Sequence, residues 1–218
     1  RRSAELPLLR VDAYTSFRSR ILSGELKPGQ FVTQRELSEL AGVPVGPARE
    51  PIQRLEFETL LQDYPQRGIQ ITDISAKLIR ESYELRLVLE MGAIRHFATE
   101  GSMDLIDALI EQTAAARSRA SYDQGEAFRA EAVEVDWTMH DAVIESLNNQ
   151  CFADAYRINA ARIRLIRANN VFSPSRMLEV LDEHLAILEA ARARKATQAG
   201  KALQAHIGKS KDFALRGM

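Results

Sequence analysis

The sequence has a single cysteine, Cys151, in 218 residues, so no intrachain disulfide can form. No apolar run approaches the roughly 18–20 residues that a membrane-spanning helix needs. The first ten residues mix arginine with Leu6, Pro7 and Leu8 and lack the apolar core and small-residue cleavage site of a secretory signal. A cytoplasmic protein with no membrane partner is expected, and the lack of an initiating Met fits a chain truncated at its start. Neither sign of charge is in excess: the formal net charge is −1. Residues 1–75 carry ten Lys and Arg against ten Asp and Glu. Attraction to phosphate there needs basic side chains gathered on one face, because net charge supplies none. What is present is 45% hydrophobic and 27% charged residues, the balance of a globular protein, in a length that suits one small and one larger domain.

Glycine and proline are scarce inside segments from about residue 77 onward, where apolar residues recur at spacings of three and four. Helices are predicted near 77–100, 102–120, 122–147, 149–171, 174–195 and 197–216. Residues 1–75 are cut by Gly24, Pro28, Gly29, Gly42, Pro44, Gly46 and Pro47, which predicts short helices. A hairpin through Leu60–Asp63 and Gly68–Thr72 follows, turning at Tyr64-Pro65-Gln66-Arg67. The fold class expected is mainly α. A winged helix-turn-helix occupies residues 1–74 and an all-α helical bundle residues 75–218.

Thr33-Gln34-Arg35-Glu36 is a capping box that starts a helix, which Ala41-Gly42 ends. A second helix follows Val43-Pro44, and such a pair, joined by a tight turn, can lay its second member in a major groove. Leu37, Leu40, Val43, Ile52 and Leu55 are the expected core of this module.

Residues 24–56 and the downstream Tyr64-Pro65-Gln66-Arg67-Gly68 closely resemble the winged helix-turn-helix of the GntR superfamily of bacterial regulators. The resemblance lies in Gly24-Glu25-Leu26, Pro28-Gly29, Arg35-Glu36-Leu37, Pro47, Arg49-Glu50, Arg54-Leu55 and Gly68 at the family's separations. It implies that Arg35, Arg49 and the wing pair Arg67-Gly68 touch double-stranded operator DNA, at guanine edges or phosphates. The alternative is that Arg35 and Arg49 are solvated and paired with Glu36 and Glu50. Where the family usually has Ser-Arg-Thr-Pro-Val-Arg-Glu-Ala-Leu, the chain has Pro44 through Ile52, with Val45 and Gly46 in place of an Arg and a Thr. A different operator or weaker specificity is expected. Pro51 costs up to about 3 kcal/mol unless it lies near the helix start, and Thr59 replaces a usual helix-ending Gly.

In the helical region, polar residues in phase with apolar stripes call for a reason, because burying one without a partner costs several kcal/mol. Asp136 and His140 share a face with Val133, Ile144 and Leu147; His184 lines up with Met177, Leu181 and Leu188; His206 lines up with Leu203, Ser210 and Phe213. One carboxylate and three imidazoles from three helices form a plausible shell for a divalent metal, zinc or nickel. Each histidine alone reads more naturally as a core residue, and their coincidence is what points to a metal. The pattern resembles the FCD ligand-binding domain of the FadR-type subfamily of GntR regulators, whose metal ligands correspond to Asp136, His140, His184 and His206. Glu84-Leu85-Arg86 with Glu90, and Asn149, extend the resemblance, while His96 matches no ligand.

The resemblance implies a small organic or sugar acid effector beside the metal. Arg86 and Arg162, in phase with apolar neighbours, are the candidates to bind its carboxylate. The alternatives are that Arg86 pairs with Glu90 and that Arg162 runs to the surface. The expected protein is a homodimeric regulator, a repressor acting sterically on a palindromic operator. Two rivals are a regulator for which the metal itself is the signal and a helical metalloenzyme. The second has no further in-phase Glu or His to serve as general base.

Overall fold

The computed structural model describes residues 2–123, 125–170 and 173–217, with side chains described from residue 7 onward. The chain divides into two compact units, Arg1–Ser82 with Ile158–Asn170, and Tyr83–Arg157 with Val171–Gly217.

The first unit contains α1 (Arg2–Leu22), β1 (Phe31–Val32), α2 (Gln34–Ala41), α3 (Val45–Phe57), β2 (Leu61–Tyr64) and β3 (Gly68–Ile71). The capping box forms: Glu36 N donates to Thr33 Oγ1 at 3.1 Å, and Thr33 N donates to Glu36 Oε2 at 2.6 Å. Gly42 ends α2 in the left-handed region at φ 66°. Its N–H donates to the Glu39 carbonyl at 3.2 Å, and that of Val43 to the Ser38 carbonyl at 3.0 Å, so the last carbonyls are satisfied. Thr33→Ala is expected to lower stability by about 1 kcal/mol, read as a lower urea midpoint with an unchanged slope.

Phe17 and Ile21 of α1, Leu37 of α2, Ile52 and Leu55 of α3 and Ile69 and Ile71 of β3 form this unit's core, which Ala161 and Leu165 join. Leu40 does not belong to it as expected: it is 39% exposed, because the buried stripe continues from Leu37 to Ala41, one helical turn on. Pro51 lies well inside α3, which begins at Val45, and its ring is buried in that core-facing position. The left-handed backbone that a glycine would supply after α3 is adopted by Thr59 at φ 58°. Strain there is offset by hydrogen bonds: Thr72 Oγ1 donates to the Thr59 carbonyl at 2.7 Å, and Arg162 Nε donates to Thr59 Oγ1 at 2.5 Å.

The hairpin is one residue offset from expectation on its first strand, and it gains a third strand, in the order β1-β3-β2. Gln66 takes the positive φ of the turn, at 66°, so the turn does not depend on Gly68 alone. Gly68 has φ 96°, and a Cβ there would lie 3.0 Å from the Val32 carbonyl oxygen, so β1 and β3 approach closely only without a side chain at this position. The sequence predicts only short helices here, yet α1 runs for 21 residues.

The remaining helices are α4 (Ala76–Glu100), α5 (Met103–Arg119), α6 (Glu126–Glu145), α7 (Gln150–Ala168), α8 (Pro174–Arg192) and α9 (Ala196–Arg216). Side-chain caps start four of them: Ser75 receives Leu78 N, Ser102 receives Leu105 N, Asn149 receives Phe152 N and Ser173 receives Arg176 N. In the second unit α8 packs against α5, α6 and α9, which brings the inward faces of α6, α8 and α9 together.

Candidate metal centre and DNA-reading face

Three of the helical stripes carry imidazoles to one point. His140 of α6, His184 of α8 and His206 of α9 are at most 2% exposed, and their candidate ligand nitrogens lie within 4.8 Å of one another. Ring centroids are 5.0 Å apart for His140 and His184, 5.3 Å for His140 and His206, and 4.6 Å for His184 and His206. Asp136, one turn before His140, is 2% exposed and places Oδ1 3.5 Å from His184 Nε2. Not every residue predicted on these faces is inward: Val133 is 41% exposed, because the buried face of α6 is centred on Asp136, Met139, His140 and Val143.

The donor set fits a divalent cation. His184 Nε2 and His206 Nε2 are 3.3 Å apart. That is the separation of about 3.3 Å that two imidazole nitrogens have when each is bonded tetrahedrally to one zinc ion at about 2.0–2.1 Å. His206 Nδ1 meets the Glu183 carboxylate at 2.7 Å, which makes Nδ1 the protonated nitrogen and leaves Nε2 with its lone pair aimed at His184. Burial, with further lowering by the neighbouring His140 and Arg86, brings the His206 pKa down to about 4 against the raising effect of Glu183, so the ring is neutral at pH 7. Burial would raise the Glu183 carboxyl, but hydrogen bonds from His206 and Arg176 bring it down to about 2, so it is ionised.

One glutamate and one arginine at this site, Glu183 and Arg176, escaped the sequence reading, while the pairing of Arg86 with Glu90 that it offered as the alternative is present. Glu90 of α4, fully buried, receives Arg86 Nε at 2.6 Å and meets His140 Nδ1 at 2.7 Å. Glu183 of α8 receives Arg176 Nη1 at 3.0 Å as well as contacting His206. Carboxylates do therefore stand beside the candidate metal set, where no further in-phase Glu was expected, although both are committed to imidazole nitrogens. Glu90 was legible, since it continues the stripe Ile79, Tyr83, Arg86, Ile94 and Phe97. Glu183 was not, because it adjoins His184 in sequence, off that stripe, and reaches the histidine of a different helix.

The two candidate arginines are treated differently by the fold. Arg86 is 1% exposed and pairs with Glu90, its guanidinium 5.5 Å from the centre of the Trp137 ring. Burial disfavours its charge, but Glu90 outweighs burial and holds the guanidinium pKa above the usual arginine value. Its Nη2 is buried and has no hydrogen-bond acceptor among the described residues. Arg162 belongs to the first unit, where it holds Thr59, and the structure does not group it with the histidines. His96 is exposed.

On the first unit, Arg49 of α3 is exposed, and Glu50 pairs with Arg10 of α1 at 2.6 Å instead of with Arg49. Arg35 is also exposed and pairs with Glu39 at 2.9 Å, while Glu36 is occupied by Thr33. Arg67 at the wing lies 5.5 Å from the Phe31 ring centre and 5.9 Å from that of Tyr64. These rings are themselves 6.0 Å apart, and they limit the freedom of the guanidinium without covering it. Val45 is 46% exposed at the start of α3, with Gln34 Nε2 donating to its carbonyl at 2.8 Å.

Comparison with known proteins agrees with both halves. Residues 9–71 match the gntR family of bacterial regulatory proteins, and residues 81–209 match the FCD domain. The chain is 24% identical over 197 residues to the uncharacterized HTH-type transcriptional regulator YdhC of Bacillus subtilis, covering 89% of this chain and 85% of that protein. It is 27% identical over 198 residues to the Nta operon transcriptional regulator of Aminobacter aminovorans, covering 89% of each. The solved structure of E. coli McbR/YncC has the same fold at a TM-score of 0.79 and 16% identity, over 95% of this chain and 97% of that one. Among the described residues, no helix is long and apolar enough to cross a membrane. The relatives are regulators of transcription and not enzymes, and the chain belongs to the GntR family of DNA-binding bacterial regulators, with an FCD domain following its helix-turn-helix.

Proposed function

We propose that this chain is a cytoplasmic, metabolite-responsive repressor that binds a palindromic operator as a homodimer and is released by a small organic or sugar acid bound beside a divalent metal. The observation that carries the reading is the convergence of three buried imidazoles from α6, α8 and α9, with Asp136 adjoining. Asp136, His140, His184 and His206 would hold the cation, and neutral nitrogen donors with one carboxylate suit zinc or nickel. When bound, the cation would supply a Lewis-acidic anchor for an acid's oxygen. Arg86 would take the acid's carboxylate through Nη2, a buried donor with no acceptor among the described residues. That donor favours the acid over the metal itself as the signal, since a pure metal sensor has no use for it. Arg162 is the weaker effector candidate, because its Nε already serves Thr59.

Arg35, Arg49 and the Arg67-Gly68 wing would contact DNA. Leu85 and Val88 of α4, 39% and 68% exposed, are apolar surface on which a second helical domain would pack. Effector binding would then act by favouring one arrangement of the two heads, with a coupling of about 1–3 kcal/mol.

The test is selection of bound sequences from random double-stranded DNA, followed by titration of the enriched site. An enriched inverted repeat is expected, with Arg49→Ala weakening binding by about 1–3 kcal/mol. Addition of organic and sugar acids to the zinc-loaded protein should identify one that releases the DNA. Release by metal alone, with no response to any acid, would favour the metal as the signal.

A further inference from the structure

The two glutamates behind the imidazoles are built alike. Glu90 joins Arg86 to His140, and Glu183 joins Arg176 to His206, so each carboxylate stands between a guanidinium and an Nδ1 nitrogen. The separations to the imidazoles are both 2.7 Å, although the two assemblies come from different helices. Arg176 is itself 6% exposed and gives Nη2 to Glu183 as well, at 3.3 Å. An imidazole that gives its Nδ1–H to a carboxylate keeps its Nε2 lone pair and a fixed ring plane, and the negative charge behind it raises its basicity toward a metal. An arginine behind the carboxylate stops it from turning away.

We propose that Glu90 and Glu183 are positioning residues for the metal, each holding one imidazole ligand as its Nδ1–H tautomer while an arginine holds the carboxylate. The assignment rests on the metal reading given above, and it assigns the two glutamates no direct bond to the cation. Only a carboxylate meets the requirement, because it offers two acceptor oxygens to two converging donors. Glutamine offers one acceptor and turns its NH₂ group toward the other donor. His140 and His206 are the two rings held by this device.

The test uses the full chain, stripped of metal and titrated with Zn²⁺, as wild type, Glu90→Gln and Glu183→Gln. Each substitution is expected to weaken Zn²⁺ binding by about 10–100-fold. Each should also remove one of two slowly exchanging imidazole Nδ1–H proton resonances, His140's in the first case and His206's in the second, a signature that general loosening would not split by residue. Glu183 is 12% exposed at its side chain, so Glu183→Gln gives a folded variant even if the fully buried Glu90 does not tolerate the change. Wild-type affinity in Glu183→Gln with both resonances retained overturns the positioning role while leaving the metal site standing. A wild-type chain that binds no divalent cation overturns both.

Discussion

Replacing His184 by Ala is expected to lower the affinity for Zn²⁺ by more than about 100-fold, a larger loss than removal of a supporting carboxylate gives. His184 Nε2 stands 3.3 Å from His206 Nε2 and 3.5 Å from Asp136 Oδ1, so its loss would open the proposed shell on two sides. The effect also appears in stability. A cation at 1,000 times its Kd adds about 4 kcal/mol to the folded state. For a chain of this size that is roughly 10 °C in melting temperature. The wild type should therefore show a zinc-dependent shift of that order, reversed by chelator, and His184→Ala at the same zinc concentration should show a third of it or less. A variant whose melting shift equals that of the wild type would remove His184 from the shell.

Substituting Arg86 is expected to have the second large effect, and on two separate quantities. Glu90 and Arg86 are both buried within 2.6 Å of each other, so Arg86→Met leaves a carboxylate in the interior without its cation. Breaking a buried pair in this way costs about 3–5 kcal/mol. Replacing both members by apolar residues should recover most of that loss, since the desolvation of both charges is then avoided. Binding of the acid that releases DNA should not recover in the double variant even when zinc is raised to offset the loss of Glu90 behind His140, because the donor for its carboxylate is gone. Denaturant unfolding of the wild type, Arg86→Met and the Arg86→Met/Glu90→Met double variant, each with acid titration, separates the structural role from the ligand-binding one. Acid binding that survives in the stable double variant would take Arg86 out of the effector site.

How much of this was legible in the sequence depended on whether the signal was local. The capping box at Thr33 and Glu36, the glycine at 42 and the α6, α8 and α9 stripes depend on spacing along one helix, and the structure shows them, with Val133 of α6 the exception. Strand β1 was not legible, because Phe31 and Val32 are two residues whose strand pairing is with Gln70 and Ile69, far along the chain. Thr59 in the left-handed region read as a defect because the hydroxyl and carbonyl contacts that stabilise it come from Arg162 and Thr72. The same limit hid Glu183 and Arg176. Glu183 lies off the apolar stripe of its own helix and serves a histidine on the next one, so its role leaves no periodic trace, and Arg176 was hidden with it because its role depends on Glu183. Arg162 shows the converse limit, since being in phase with apolar residues said that it was partly buried and nothing of its contact with Thr59.

Crystals grown with zinc and measured at its absorption edge test the central claim most directly. The account predicts one anomalous peak per chain, within about 2.0–2.2 Å of nitrogens from His140, His184 and His206 and of an Asp136 carboxylate oxygen. A peak elsewhere on the chain, or none between those three rings, would contradict it.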